Sequence, residues 1–154
     1  MSTQKFHLAQ INIALMKAPL DDPLMAEFVA NLDGMNALAD RSPGFVWRLE
    51  GEGGDATDVR PYAENILVNV SVWETPEDLF RYTFRSQHTE ILKKRRQWLA
   101  PYDGAYSALW WIPAGHIPTV DEAKERLDYL RERGETVFAF TYKQLFPPPE
   151  GSAV

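Results

Sequence analysis

The sequence predicts an α+β domain in which an antiparallel sheet carries helices on one face. Two observations predict this class. Segments with apolar side chains at every second residue alternate with segments at helical spacing, and the first six follow the order strand, helix, strand, strand, helix, strand. This order is that of the split βαβ motif. The length, 154 residues with 45% hydrophobic side chains, suits one domain with a substantial core.

The strand predictions rest on side-chain alternation. In the first strand, Ala9, Ile11 and Ile13 share one face, whereas Gln10 and Asn12 lie on the other. The third has the same pattern and is the clearest of the set. The predicted strands cover 6–15, 45–50, 65–73 and 105–113, with a short edge strand at 135–142.

The helix predictions rest on capping signals followed by apolar side chains at helical spacing. Asp22 and Thr75 each precede a proline, which suits the first position of a helix. Ser86 restarts the second helix after a bend, and we expect it to continue to residue 99. A capping box at 119–122 begins a third helix with Ala123, Leu127 and Leu130 directed inward.

The domain is expected to cover 1–143. The sequence PPPEGSAV lies near the end of the chain, and we expect a disordered tail over 144–154. We see no repeat and no second domain.

The net charge and the amino-acid composition argue against several classes of function. The net charge of −6 argues against nucleic-acid binding, which needs a basic surface. The absence of cysteine excludes disulfides and thiol catalysis. No apolar run approaches the length of a membrane span, and the first residues lack a signal-peptide pattern, so we expect a cytoplasmic protein without membrane contact.

One face of the predicted sheet has no helix to cover it. Both strand faces carry apolar residues, so a partner subunit is favoured over open solvent on that face. We therefore expect a homodimer that associates through the sheet face.

The candidate site is predicted between this sheet and the helix at 86–99. His88 and Arg95 fall on the apolar side of that helix and are predicted to point at the sheet, where they are the catalytic candidates. The sheet offers amides and a hydroxyl opposite them, with Asn12 and Asn69 as the substrate-binding candidates. Convergent polar groups inside an apolar setting are typical of small-molecule sites. The other polar residues of this strip are Gln10 and Ser71.

Large aromatic rings supply candidate walls for such a site, which would suit a flat ligand. The candidate walls are Trp47, Trp73, Trp98 and Trp111.

Each of these residues also has a structural interpretation. His88 can be a core histidine bonded to a backbone carbonyl, and Arg95 can extend outward over an apolar face. Asn12 and Asn69 can bond each other or line an interface, and the tryptophans can simply fill the core.

The sequence contains no motif for binding a metal ion or a nucleotide phosphate. The three histidines are widely spaced without a ligand pattern, so no metal site is predicted. The sequence has no Walker loop, no dinucleotide fingerprint and no nucleophile elbow.

Several segments of the chain form a recognisable pattern, among them HLAQINIA, SPGFVWRL, SVWET, YTFRSQHTEILKKRRQWL and LWWIPAGHIPTVDEAKERL. Together they resemble a bacterial family of unknown function in the dimeric α+β barrel superfamily, which also holds antibiotic-biosynthesis-type monooxygenases. The resemblance spans about residues 6–142. It implies a ferredoxin-like subunit, a barrel made of two sheets, and a pocket between sheet and helices.

The functional expectation is therefore a small-molecule-binding dimer. Its sharper version is a cofactor-independent, monooxygenase-like enzyme that acts on a small aromatic or anionic metabolite. The rival interpretations are a non-catalytic dimer that binds a metabolite or haem, and a dimer whose role is purely structural. Haem would use His88, because a helix histidine ligates iron in haem-binding relatives of the superfamily.

Overall fold

A computed structural model of the chain describes residues 4–50, 60–85, 93–101, 104–149 and 152–153. All four main predicted strands and the first and third predicted helices are present close to their expected bounds. The strands are β1 (Gln4–Met16), β2 (Phe45–Arg48), β3 (Ile66–Trp73), β4 (Leu99–Ala100), β5 (Ser107–Pro113) and β6 (Ser152–Ala153). The helices are α1 (Ala26–Asp40), α2 (Pro76–Arg85) and α3 (Val120–Arg133).

The sheet is built around β1. Its residues 8–15 pair antiparallel with β3 and residues 6–12 pair antiparallel with β5. Because both pairings include residues 8–12, β3 and β5 lie on opposite sides of β1. With β2 beyond β3, the order is β5, β1, β3, β2, which is the ferredoxin-like order. The predicted α+β class is confirmed.

The helices begin where the capping signals place them. Asp22 accepts a hydrogen bond from the backbone N–H of Leu24, and Thr119 accepts one from Glu122. Thr75 accepts one from Asp78 at the start of α2. These side chains satisfy backbone donors that a helix leaves without an internal partner.

The expectation that helices lie on one face of the sheet is wrong for α3. Ala9, Ile11 and Ile13 pack in one buried cluster with Leu127 and Leu130 of that helix. The helix is amphipathic, so its apolar side must be buried, and the sheet face opposite α1 and α2 supplies the partner. We call it the α3 face.

This placement removes the stated reason for a homodimer through that face. The apolar residues that were expected to require a second subunit are already buried within one chain; Val70 and Val72 of β3, for example, are each 1% exposed. The homodimer therefore stays a prediction, and the apolar residues of the α3 face no longer support it.

The opposite side of the sheet, which we call the strip face, carries two separate buried clusters. One contains Leu8, Trp73 and Leu109 together with Ala39 from α1 and Leu79 from α2. The second lies toward the other end of β1 and consists of Met16, Met25, Leu67 and Trp98. Polar side chains of β1 and β3 separate the two clusters.

The C-terminal region differs from its prediction in two places. Instead of a continuous strand at 135–142, Phe140 makes an isolated antiparallel bridge to Leu109 of β5. The predicted tail at 144–154 does not stand apart from the domain throughout, because Phe146 packs on the ring of Phe140 and its carbonyl accepts a hydrogen bond from Trp111. The ring contact of Phe146 and the hydrogen bond to the half-buried indole of Trp111 hold this segment against the domain.

We expect Leu127→Ala to lower the free energy of unfolding by about 3 kcal/mol, because it deletes a fully buried side chain between α3 and the sheet. Chemical denaturation measures the change. Glu125→Ala, at an exposed position of the same helix, is the control and should change the stability by less than about 0.5 kcal/mol. Equal effects of the two substitutions would contradict the packing of α3 on the sheet.

Candidate functional site

The predicted polar strip exists and forms one hydrogen-bonded network, made of Gln10, Asn12, Asn69 and Ser71. The register of β1 and β3 places Gln10 beside Ser71 and Asn12 beside Asn69. Gln10 Nε2 donates to Asn69 Oδ1 at 2.9 Å and to Ser71 Oγ at 2.7 Å. Asn12 Nδ2 donates to Gln10 Oε1 at 2.9 Å. Period-two spacing on paired strands brings the four side chains onto one face.

Exposure rises along the strip. Gln10 and Ser71 are buried, at 5% and 7% exposed, whereas Asn12 is half-buried and Asn69 is exposed. Asn69 lies on the strip face of β3, beyond the last described pair with β2, which is Arg48 with Ser71. Its exposure means that solvent reaches the strip at this position. The network is thus anchored in the interior and ends at an opening.

Aromatic side chains flank the strip at both ends. Trp73 donates through its indole nitrogen to Ser71 Oγ at 2.9 Å and stacks on Tyr82 with ring centroids 5.1 Å apart. In the second cluster, Trp98 packs on Phe28 with centroids 5.6 Å apart. The strip is therefore a polar floor between two aromatic groups.

Helix α1 passes over this floor from one cluster to the other. Phe28, near its first turn, packs in the cluster of Trp98, and Ala39, near its last turn, packs in the cluster of Trp73. Leu32 and Met35 lie between them and are half-buried. The helix is held at both ends and leaves its middle less tightly buried above the strip.

The floor carries amides and a hydroxyl, and the ionisable group beside it is held neutral. Burial raises the pKa of Tyr82 from 10.0 to about 12, with the carboxylate of Asp40 adding to the shift and Arg48 opposing it. The Tyr82 hydroxyl donates to the backbone carbonyl of Met35 in α1 at 3.2 Å. The polar groups of the strip are neutral carboxamides and a hydroxyl.

The structure brings together three of the predicted binding residues, namely Asn12, Asn69 and Trp73. Trp98 lies at the far end of the same face and is 2% exposed. Trp111 lies beyond Trp73, where it lines a separate cleft of about 470 Å³ together with Glu74 and Pro147. Of these tryptophans, Trp73 is bonded directly to the strip.

Trp47 is a wrong assignment. It packs with the α3 face cluster and is aligned with Val72 of β3, not with the polar residues. The strand β2 was predicted correctly, but the sequence did not decide which of its faces looks toward the strip.

The predicted orientation of Arg95 is also wrong. The helix expected to continue to residue 99 gives way to a 3₁₀ turn over Arg95–Gln97, followed by strand β4. The change of backbone geometry leaves Arg95 exposed, with its guanidinium 5.5 Å from the ring centre of Tyr106. Cation and ring interact at the surface, and Arg95 does not face the strip.

His88 lies outside the residues that the structure describes. Its predicted role as a catalytic group or ligand contact stays a prediction.

Three components of the site were not among the predicted binding residues. Gln10 is the hub of the network and Ser71 its buried end, and both had been recognised only as neighbours of the asparagines. The period-two spacing of Gln10 and Ser71 predicted that they belong to the strip. Only their burial in the structure shows that Gln10 is the central member of the network. Tyr82 gave no signal at all, because an aromatic residue on an amphipathic helix is typical of core packing.

Metal sites and membrane-spanning helices can be assessed for the described residues alone. Over these ranges no cluster of three His, Asp or Glu side chains has the geometry to hold a metal ion. The same ranges contain no helix with the length and apolarity to span a bilayer.

Residues 7–154 match the family described as "Domain of unknown function (DUF3291)". The chain belongs to this family. The resemblance to a bacterial family of unknown function is thereby confirmed, and the match extends through the C-terminal segment. No curated protein matches the chain.

Solved structures with a similar fold come from distant proteins. A protein of unknown function from Nitrosomonas europaea is 9% identical, with 75% of this chain and 98% of that chain covered and a TM-score of 0.49. SnoaB, a cofactor-independent oxygenase from Streptomyces nogalater, is 19% identical, with 75% and 98% covered and a TM-score of 0.46. A protein from Pseudomonas aeruginosa is 12% identical, with 77% and 98% covered and a TM-score of 0.44. Similarity at this level assigns no activity to the DUF3291 chain.

The raised pKa of Tyr82 predicts a stability loss in alkali. The folded chain holds the phenolic proton more tightly than the unfolded chain, so this contribution is complete below pH 10 and is lost as the pH rises toward about 12. Tyr82→Phe should flatten the decline of the unfolding free energy over that window. At neutral pH it should cost about 1 kcal/mol for the lost hydrogen bond to α1.

Tyr142→Phe is the matched variant, since burial also raises the pKa of Tyr142 to about 12. Urea unfolding at a series of pH values measures both. A decline in the Tyr82→Phe protein as steep as that of the unsubstituted chain would contradict the buried, neutral phenol.

Proposed function

We propose that the chain binds a planar small molecule on the polar strip, between the sheet and α1. The observation that carries the proposal is the exposure of Asn69 at one end of a network that is buried at Gln10 and Ser71. A polar network that served only to fill the core would be closed on all sides. This one keeps an accessible end at Asn69.

The chemistry of the floor favours a flat ligand with polar substituents. Amides and a hydroxyl orient such a ligand through hydrogen bonds. The half-buried Tyr82, which stacks on the fully buried Trp73, is an aromatic boundary of the strip. Sites of this composition, mostly apolar with few convergent polar groups, are usual for small molecules.

The sharper version of the proposal is a cofactor-independent oxygenase. SnoaB has that activity in the wider group of similar folds, and we extend it to this chain as a hypothesis. Reaction without a cofactor needs a substrate that gives up a proton and then supplies electrons to oxygen itself. His88 is the proposed proton acceptor, because an imidazole is the side chain best suited to accept and return a proton at physiological pH.

The binding proposal predicts that Asn69→Ala weakens the affinity for naphthoquinone by about tenfold, since an exposed hydrogen-bonding group is removed from the site. Quenching of tryptophan fluorescence measures the affinity. Trp47→Phe, on the α3 face, is the control and should bind as the unsubstituted protein does. Equal affinities for all three proteins would exclude the strip as the binding site.

Oxygen uptake separates the catalytic from the binding version. Anthrone is a suitable substrate, because its ring CH₂ group can give up a proton to form an electron-rich anion. We expect oxygen uptake with the unsubstituted protein and uptake at least about tenfold slower with His88→Ala. Binding without oxygen uptake would leave a binding protein and reject the oxygenase.

A further inference from the structure

The carboxamide of Gln10 has a fixed direction in the network. Its nitrogen faces two acceptors, Asn69 Oδ1 at 2.9 Å and Ser71 Oγ at 2.7 Å. Its oxygen accepts from Asn12 Nδ2 at 2.9 Å. An amide NH₂ has two hydrogens, so both hydrogens of Gln10 are committed to β3.

This direction determines how Asn69 faces the opening. The amide oxygen of Asn69 accepts the hydrogen bond from Gln10. The NH₂ group of Asn69 is therefore the part of its carboxamide that faces the opening. Asn69 is exposed, and within the described part of the chain its nitrogen has no protein acceptor. The end of the network at the opening is therefore a donor.

Ser71 reinforces the same polarity. Its oxygen accepts from Gln10 Nε2 and from the indole N–H of Trp73. A hydroxyl has two acceptor positions and one hydrogen, so the hydrogen is the part left to donate. Asn12 retains a second amide hydrogen and its oxygen, so donors predominate over acceptors along the strip.

We propose that Gln10 is a positioning residue that sets the polarity of the site, so that the strip takes planar ligands which present an acceptor oxygen, such as a quinone or another conjugated carbonyl. This inference rests on the proposed function, because it names the class of ligand for the same site. Gln10 does not face the opening. Under this proposal it nevertheless determines whether the site prefers ligands that accept hydrogen bonds or ligands that donate them.

The test compares two flat probes of similar size, naphthoquinone and naphthalenediamine, against the full-length protein by fluorescence quenching. Naphthoquinone presents acceptor oxygens, and naphthalenediamine presents N–H donors. We expect the unsubstituted protein to prefer naphthoquinone by about tenfold, the effect of one or two hydrogen bonds.

Gln10→Glu should reverse this preference at pH 8. A carboxylate accepts hydrogen bonds and donates none, so the NH₂ groups of Asn69 and Asn12 would turn toward it and the oxygen of Asn69 would face the opening. Gln10→Met has a similar length without polar atoms and should abolish the preference in either direction. A residue with a merely structural role would change the affinity for both probes together.

Asn69→Asp provides the same test at an exposed position, where the fold is not at risk. It replaces the donor NH₂ with a second acceptor oxygen, so naphthoquinone should bind at least about tenfold more weakly and naphthalenediamine more tightly.

The outcomes separate the two proposals. If neither probe binds the unsubstituted protein, the proposed function fails, and the inference fails with it. If both bind equally, or if naphthalenediamine binds better, the strip is a binding site but its assigned polarity is wrong. The same conclusion follows if Gln10→Glu and Asn69→Asp keep the preference of the unsubstituted protein.

Discussion

The hydrogen bonds from Gln10 to β3 are the constraint on which the strip face depends. A carboxamide that is 5% exposed costs free energy unless its polar atoms find partners, and here Asn69, Ser71 and Asn12 supply them. A shift of one residue in the pairing of β1 and β3 would turn Gln10 toward the α3 face, among valines and leucines. The network therefore favours the register that also places Trp73 and Leu67 beneath the helices.

The two faces of the sheet have different roles because different helices cover them. On the α3 face, Ile11, Val70 and Leu127 form a continuous apolar layer, which stabilises the domain. On the strip face, α1 is anchored at its ends by Met25 and Ala39 and crosses polar side chains between them. A binding site can exist where the apolar packing is interrupted, as it is at the polar side chains of the strip face.

Much of this architecture could be predicted from the sequence because local signals agreed with the global fold. Alternation placed β1 and β3 and brought Asn12 and Asn69 side by side, and the capping residues located α1 and α3. The sequence failed where three-dimensional context decides. The position of α3 depends on which sheet face is free, and the orientation of Arg95 depends on a 3₁₀ turn that no composition signal marked.

The same limit applies to the roles of individual residues. Asn12 and Asn69 were predicted as binding residues from the sequence. The role of Gln10 is visible only in the structure, where its buried amide hydrogen-bonds to the other polar residues of the strip. Trp47 and Trp73 look alike in the sequence, but β2 and β3 place their rings on opposite faces. Side-chain chemistry is readable from the sequence, whereas the direction in which a group faces requires the fold.

Hydrogen exchange of the side-chain amides, followed by NMR, tests the central claim most directly. If the network is anchored inside and open at Asn69, the amide hydrogens of Gln10 exchange much more slowly than those of the exposed Gln97, while those of Asn69 exchange nearly as fast as that reference. Rapid exchange at Gln10 would show that the network is not buried. Protection of Asn69 equal to that of Gln10 would show that the strip has no opening, and the proposed site would not exist.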